Sequence, residues 1–427
     1  MSHKDINNSL TRHHKSVMIS VMPFKINTLN FGWIHPSDSE FIKLFKDSVC
    51  YVESKKQIVN NLFDAISKQP SNKEKIKEYA QFYTPVDVAL YSAYQLLKTF
   101  SGNGVVFDPC AGRGSLLIAA GVVLAIKFNM RDEKLLSMLH GSEICAETYD
   151  ETIDNIIIGL SEWTHELNYT DARDILLQNI KNKDFYNVDI PKKSFVIVNP
   201  PYKEVDGKGN LWLSFIKDIS DSKSVKSFAA ITPVSICSAD RTSDIRQSIK
   251  TNFSEIIALH HDTRPRPLFK NIEQRITIII AHKNNNPSYS TTGFLMHKFG
   301  ERVNVWTQNF ITLDKSYCNK VFPKIANSDE LIFFYKHFNA RSTVSQYVDK
   351  RCDSFVWVRT TGRYRLSAQM NKPDRITTKW KKININPEGA SFIIENFKNG
   401  KALMWWSMFG DGRDISIPKF LNNYSNE

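Results

Sequence analysis

No stretch of this 427-residue chain reaches 18 consecutive apolar residues, so no membrane-spanning helix is expected. Its six cysteines (Cys50, Cys110, Cys145, Cys237, Cys318, Cys352) stand singly and none forms a C-x-x-C pair. That spacing argues against a zinc knuckle or a disulfide framework and fits a reduced, cytoplasmic compartment. Met1–Ser16 is polar and basic without an apolar core, so no secretory signal is expected. No internal repeat is present, and no restriction or helicase domain is visible. Carboxylates are also in short supply: 44 Asp and Glu face 56 Lys and Arg, for a net charge of +12. Such a balance favours a polyanionic partner. The shortage is local, since Leu331–Glu427 holds 16 basic and 8 acidic residues. Within it, Arg351–Lys382 has nine basic residues and two acidic ones, mixed with Phe355, Trp357, Tyr364 and Trp380. Cations interleaved with aromatics suit phosphate contacts and base stacking.

What is present centres on Ser194–Tyr202. Phe195–Val198 is a short apolar run of the kind found in buried parallel strands. Asn199-Pro200-Pro201-Tyr202 ends it, because each proline lacks an N–H and fixes φ. The chain therefore leaves the sheet at its C-terminal edge, where α/β folds place ligands. An amide, unclaimed carbonyls and an aromatic ring can together hold a planar ring that carries an amine.

The segments before this strand read in order. Ser39–Lys68 has helical periodicity. Gln81-Phe82-Tyr83-Thr84-Pro85 then opens an amphipathic helix, with Thr84 expected as N-cap, Pro85 at the first helical position and Asp87 at the third. Gly104–Asp108 is an expected strand leading into Pro109-Cys110-Ala111-Gly112-Arg113-Gly114 and a helix over Leu116–Phe128. A glycine loop at a helix start offers free N–H groups, and an acid closing the strand suits an amine or ribose hydroxyls rather than a phosphate. Leu139–Ile144 is a second expected strand ending near Glu143, a position that takes ribose hydroxyls in nucleotide-binding α/β folds. Tyr169–Leu177 is expected as a polar strand end carrying Asp171 and Asp174. Lys203–Gly209 is expected to be a mobile loop.

Further strands are expected at Lys226–Pro233, Glu255–His260 and Arg275–His282, the last two as an antiparallel edge hairpin. Asn284–Thr292, rich in Asn, Ser and Thr, is expected as a domain boundary, with short strands beyond it at Arg302–Thr307 and Phe355–Arg359. Strands alternating with helices over Gly104–His282 give an α/β class with a doubly wound, mostly parallel Rossmann-like sheet. An irregular α+β region follows. The resulting division is 1–77 (tail and helical region), 78–285 (sheet domain) and 286–427 (basic region).

Gln81–Pro85, Asp108-Pro-Cys-Ala-Gly-Arg-Gly114, Glu143, Asp174 and Asn199-Pro-Pro-Tyr202, in that order, resemble the adenine-N6 DNA methyltransferases. The order resembles their γ class and the modification subunits of type I restriction systems. Trp405-Trp406-x-x-Phe409-Gly410-Asp411-Gly412-Arg413-Asp414 resembles the tail of restriction-linked single-chain modification enzymes. The resemblance implies a Rossmann-like catalytic domain, S-adenosylmethionine as cofactor with no metal, double-stranded DNA as partner, a bacterial or phage-type setting and a possible specificity or restriction subunit. It implies that Asn199 and the Pro200 carbonyl, with Pro201 in the same loop, accept from the N6 hydrogens of a flipped adenine on which Tyr202 stacks. Phe269 is a second ring for that base. For the cofactor it implies Gln81, Tyr83, Thr84, Pro85, Asp108, Pro109, Cys110, Ala111, Gly112 and Gly114 around the methionine part. Glu143 would meet the ribose and Asp174, with Asp171 as its rival, the adenine amine. Arg351, Arg359, Arg363, Arg365, Lys379 and Lys381 are the expected nucleic-acid contacts. RNA adenine and protein-glutamine methyltransferases share the Asn-Pro-Pro-Tyr chemistry and stay open at this point, as does an inactive nucleic-acid-binding module.

Overall fold

The computed structural model describes residues 84–202, 204–205, 209–269, 272–298, 302–306, 308–349, 351–361 and 366–426. The expected helix over Ser39–Lys68 and the residues Gln81, Tyr83, Arg363 and Arg365 lie outside them. The chain divides into two compact units. One is the described part of Met1–Ile231 with Ile279–Asn284 and Val303–Gln308, and the other is Thr232–Ile278, Asn285–Arg302 and Asn309–Glu427.

The first unit is built on β1 (Val105–Asp108), β2 (Leu139–Ser142), β3 (Ile180–Lys181), β4 (Ser194–Val198) and β7 (Val225–Pro233), with a small hairpin of β5 (Glu204–Val205) and β6 (Gly209–Asn210). The five main strands lie in the order β7-β4-β1-β2-β3. All four pairings are parallel, with Val106 opposite both Leu139 and Phe195. Phe195–Val198 are at most 3% exposed, as a strand covered on both faces requires. The helices are α1 (Val86–Leu96), α2 (Ser115–Lys127), α3 (Asp132–Leu136), α4 (Ala146–Gly159), α5 (Tyr169–Asn179) and α6 (Leu211–Asp221). Helix α2 is buried on every side from Ser115 to Ala125, so its composition is apolar throughout. It packs tightly on the end of α4: a Cβ on Gly121 would lie 2.6 Å from Leu160 Cδ1.

Two segments depart from expectation. Tyr169–Leu177 forms most of helix α5 and not a strand. Asn168 caps it by accepting from Asp171 N at 2.9 Å, and Ala172 and Leu176, four apart, supply its buried stripe. Arg302–Trp306, also expected as a strand, is a 3₁₀ turn.

The second unit contains α7 (Ser243–Asn252), β8 (Glu255–His261), the first residues of β9 (Ile276–His282), β10 (Ser288–Leu295), β11 (Ile311–Asp314) and α8 (Ser328–Phe338). The Asn-, Ser- and Thr-rich stretch expected as a boundary runs into β10, which pairs in parallel with β8. β10 also pairs, antiparallel, with β11. Then follow β12 (Phe355–Arg359), β13 (Ser367–Gln369), β14 (Trp380–Asn384), α9 (Pro387–Lys398), α10 (Lys401–Phe409) and α11 (Ile417–Asn423). β13 and β14 flank β12, both antiparallel.

The Trp405–Asp414 tail is anchored from below. Trp405 and Trp406 are each 3% exposed, Lys324 Nζ donates to Met408 O and Gly410 O at 3.0 and 2.9 Å, and Arg275 donates to Gly412 O at 2.8 Å. Arg275 is itself neutralised by buried Asp262 at 2.9 Å. Gly412 has φ +79° and a Cβ there would meet Val234 Cγ1 at 2.6 Å, so this turn requires glycine.

Candidate active site

After β1 the chain moves to β2 and β3 on one side, then returns to β4 and β7 on the other. The switch point lies between β1 and β4, and the loops that leave their C-terminal ends diverge there to open a crevice. Those loops are Asp108–Gly114 and Asn199–Tyr202.

Asp108 closes β1 with no exposed surface. One carboxylate oxygen, Oδ1, accepts from Cys110 N at 3.0 Å, whereas Oδ2 is buried without a hydrogen-bond partner among the described residues. Burial pushes this carboxyl up to about 8, with the Cys110 N–H working against the shift and the charge of Glu143 adding to it. Gly112 and Gly114 take φ of +55° and +85°, which bends the loop back over the strand ends. Beneath the loop, Thr152 on α4 donates to Gly112 O, Asn155 Nδ2 donates to Arg113 O at 3.1 Å, and Gly114 N donates to Ala111 O at 2.8 Å.

Glu143 follows β2 and is 5% exposed. Its two oxygens accept from Gly112 N and Cys145 N, both at 2.9 Å, so it ties the first loop to the start of α4. Burial raises its pKa despite these donors. Two desolvated carboxyls, one with an oxygen lacking a donor, form a site that fits a group bearing an ammonium and hydroxyls.

The second loop is locked to the first. Cys110 Sγ lies 3.5 Å from Asn199 O, and Asn199 Nδ2 donates to Thr84 Oγ1 at 3.1 Å. Thr84 is free to accept because it does not cap α1. The cap position falls on Pro85, whose carbonyl accepts from Ala89 N at 2.9 Å. Asp87 faces elsewhere, accepting from Trp306 Nε1 at 3.0 Å while that indole stacks on Tyr91. Pro200 is buried and Tyr202 half-buried. The Tyr202 hydroxyl donates to Ile231 O at 2.8 Å, and burial raises its pKa well above the usual phenol range.

The structure thus gathers Thr84, Pro85, Asp108–Gly112, Gly114, Glu143 and Asn199–Tyr202. It does not gather Asp174, which is exposed in mid-helix on α5; Asp171 is occupied with Asn168 at the helix start. The residue leaving β3 is Asn182, whose Nδ2 donates to Glu143 O at 2.8 Å. Ile144, directly after Glu143, is 55% exposed. Neither was singled out in sequence, although an apolar residue after a strand-closing acid was a usable signal for Ile144. Phe269 belongs to the second unit and is 3% exposed. Among the described residues no group of three or more His, Cys, Asp or Glu could hold a metal ion.

Of the expected nucleic-acid contacts, Arg351, Arg359, Lys379 and Lys381 are exposed, and Lys379 is paired with Asp414 at 2.8 Å. Lys382 was passed over, yet its Nζ lies 4.2 Å above the Phe355 ring, on the face opposite Lys381.

Residues 56–218 match the family model of N-6 DNA methylases. No curated protein matches the chain by sequence. Among solved structures, the EcoKI M protein of a type I restriction enzyme is similar at 14% identity and TM-score 0.40, with 88% of this chain and 83% of that one covered. A type I methyltransferase subunit from Streptococcus thermophilus is similar at 19% identity and TM-score 0.36, covering 51% of this chain and 47% of that one. A nuclease-deleted form of the Type ISP enzyme LlaGI, bound to a DNA substrate mimic, is similar at 14% identity and TM-score 0.43, covering 76% and 38%. The chain therefore spans less than half the length of the last two. The matched segment ends within α6.

Proposed function

We propose that this chain methylates N6 of an adenine in DNA, using S-adenosylmethionine, with the second unit contributing DNA contacts. The observation that carries this reading is the hydrogen-bonded join of the two loops at the switch point, through Cys110 to Asn199 O and Asn199 to Thr84. It sets an acid suited to a cofactor ammonium beside an amide suited to a planar amine.

S-adenosylmethionine, when bound, supplies the methyl group on an activated sulfonium. Asp108 accepts from its ammonium through the oxygen that lacks a donor, which also relieves the cost of burying that carboxylate. Glu143 keeps lone pairs for ribose hydroxyls beyond the two N–H groups it already takes. Ile144 covers one face of the cofactor's adenine, and Asn182, at the end of β3, takes the place expected for Asp174. Asn199 and the Pro200 carbonyl accept from the two N6 hydrogens. Adenine N6 is a poor nucleophile because its lone pair is delocalised into the ring. Acceptors out of the ring plane would localise that pair toward the methyl as its bond to sulfur breaks, leaving a thioether. They would stabilise the charge N6 gains before its proton passes to water, so positioning and electrostatics supply most of the catalysis. Flipping the base costs a few kcal/mol, which stacking on Tyr202 partly offsets. Its hydroxyl bond to Ile231 O keeps the ring oriented. Phe269 remains the candidate second ring.

Asn199→Ala tests the assignment with tritiated S-adenosylmethionine and duplex DNA. Methyl transfer is expected to fall by about 1,000-fold, in the range of other lost oxyanion-type contacts, with cofactor binding retained. Activity within tenfold of the parent would remove Asn199 from the reaction. Single-molecule sequencing of DNA from cells expressing the chain would give the modified motif.

A further inference from the structure

The outer face of the β13-β12-β14 sheet carries side chains of one kind. Successive strand residues point to opposite faces, and cross-strand partners share a face. Val356, Val358 and Ile383 turn inward and join Ala390, Ile393 and Phe397 in the unit's own core. Phe355, Trp357 and Arg359 turn outward, opposite Asn384, Lys382 and Trp380. β13 adds Gln369 and Ser367 beside Trp357 and Arg359. None of these outward residues is acidic. Phe355, Trp357 and Trp380 are half-buried, leaving ring surface exposed beside the exposed cations Arg359 and Lys382. The Trp357 Nε1 donor has no hydrogen-bond partner among the described residues.

The geometry points to this face as a stacking platform for an unpaired nucleic-acid strand. Phe355 and Trp357 are two residues apart on one strand, hence about 6.6 Å. That is about twice the 3.4 Å rise of stacked bases. Bases held at that pitch are parted from one another, each laid on a ring, with Arg359 and Lys382 for the phosphates once Lys382 leaves the Phe355 ring it covers at 4.2 Å. A duplex keeps its base faces inside the stack and offers a ring nothing to lie on. The inference deepens the reading of the second unit as the DNA-contacting one. Opening a duplex to flip a base creates unpaired nucleotides, and this face has the chemistry to hold them.

The test uses the full-length protein and a fluorescein-labelled oligo(dT) 12-mer, which contains no adenine and so cannot be a methyl acceptor. Anisotropy titration should give binding that Trp357→Ala weakens about tenfold, the loss of one stacked base. Arg359→Ala with Lys382→Ala should lower the log–log salt slope by about 1.4, two single-strand phosphates. Lys398→Ala removes the same charge from α9, which packs on the inner face, and should leave affinity within twofold. Surface variants Arg359→Gln and Lys382→Gln decide the matter if Trp357→Ala fails to fold. No binding of the 12-mer, or equal losses for Lys398→Ala and Lys382→Ala, would overturn the platform. Oligo(U) run in parallel shows whether the sugar matters. A failure here leaves the methyl-transfer reading intact, and loss of methyl transfer in Asn199→Ala leaves this one intact.

Discussion

The crevice at the β1–β4 switch point and the outer face of the β12 sheet are built on opposite plans. In the crevice most polar groups have a specific partner, Asp108 Oδ2 excepted: Asp108 Oδ1 with Cys110 N, Glu143 with two N–H groups, Asn199 with Thr84, Tyr202 with Ile231 O. Thr84, Asp108 and Glu143 are buried, Asn199 and Tyr202 half-buried, and two glycines hold backbone that other residues rarely adopt. On the sheet face, cations and rings alternate at the spacing of the strands, with few specific bonds. A buried network loses much when one member goes, because its partners are left unsatisfied in a low dielectric. An exposed face loses only the one contact. The comparison teaches where single substitutions should be severe and where they should be mild and additive.

For cofactor affinity the most severe loss should come from Asp108→Asn. It removes one member of a buried charge pair with the cofactor, a change worth roughly 3 kcal/mol, or more than 100-fold in affinity. Titration calorimetry with S-adenosylhomocysteine measures it, and a loss below threefold would put the crevice in the same class as the sheet face. The same variant has an opposite effect on the protein without cofactor. Asp108 is raised from 3.8 to about 8, so the folded state holds a proton that the unfolded chain releases. The stability this contributes is complete below the unfolded value and is lost as pH rises through about 8. Asp108→Asn should therefore raise Tm over the parent by an amount that grows from pH 4 to pH 8, and then levels off. A pH-independent difference in Tm would mean that Asp108 is already ionised.

Thr84→Val should cost less. It deletes the acceptor that fixes the Asn199 amide while keeping the volume, a loss of about 1 kcal/mol or a several-fold drop in kcat. Cofactor Kd should hold, and Thr84→Ser should restore turnover. A change in Kd with kcat preserved would assign the hydroxyl to the cofactor pocket instead.

Much of the crevice was legible in sequence because its constraints are local. Asn199-Pro-Pro-Tyr202 has to leave a strand, and Gly112 and Gly114 have to turn a loop, whatever the rest of the chain does. Four of the five parallel strands, β1, β2, β4 and β7, followed from the same punctuation, whereas β3 (Ile180–Lys181) was not expected. Asp174 was misplaced because Tyr169–Leu177 is polar enough to read either way, and the cap from Asn168 to Asp171, which decides for helix, lies one residue upstream of the stretch considered. The sheet face was legible only as composition. Counting cations marked Arg351–Lys382 as basic, but only strand parity places Lys381 and Lys382 on opposite faces. Parity depends on pairing with Phe355–Arg359, which no single segment shows.

Tyr202→Phe separates the two plans most finely, since it leaves the ring and takes away only the bond to Ile231 O. If Tyr202 acts as the stacking surface, the ring carries most of its contribution and the hydroxyl only steadies it. Turnover should then fall by no more than about threefold, with stability lower by about 1 kcal/mol from the carbonyl left without its donor. Tyr202→Ala should lose at least a further tenfold, because the flipped base would have no ring beneath it. Equal losses for Phe and Ala would mean that the hydroxyl bond, not the ring, is what the reaction requires. Tyr202 would then belong to the interlocked network in the same way as Thr84, and base stacking would fall to Phe269 or to no ring at all.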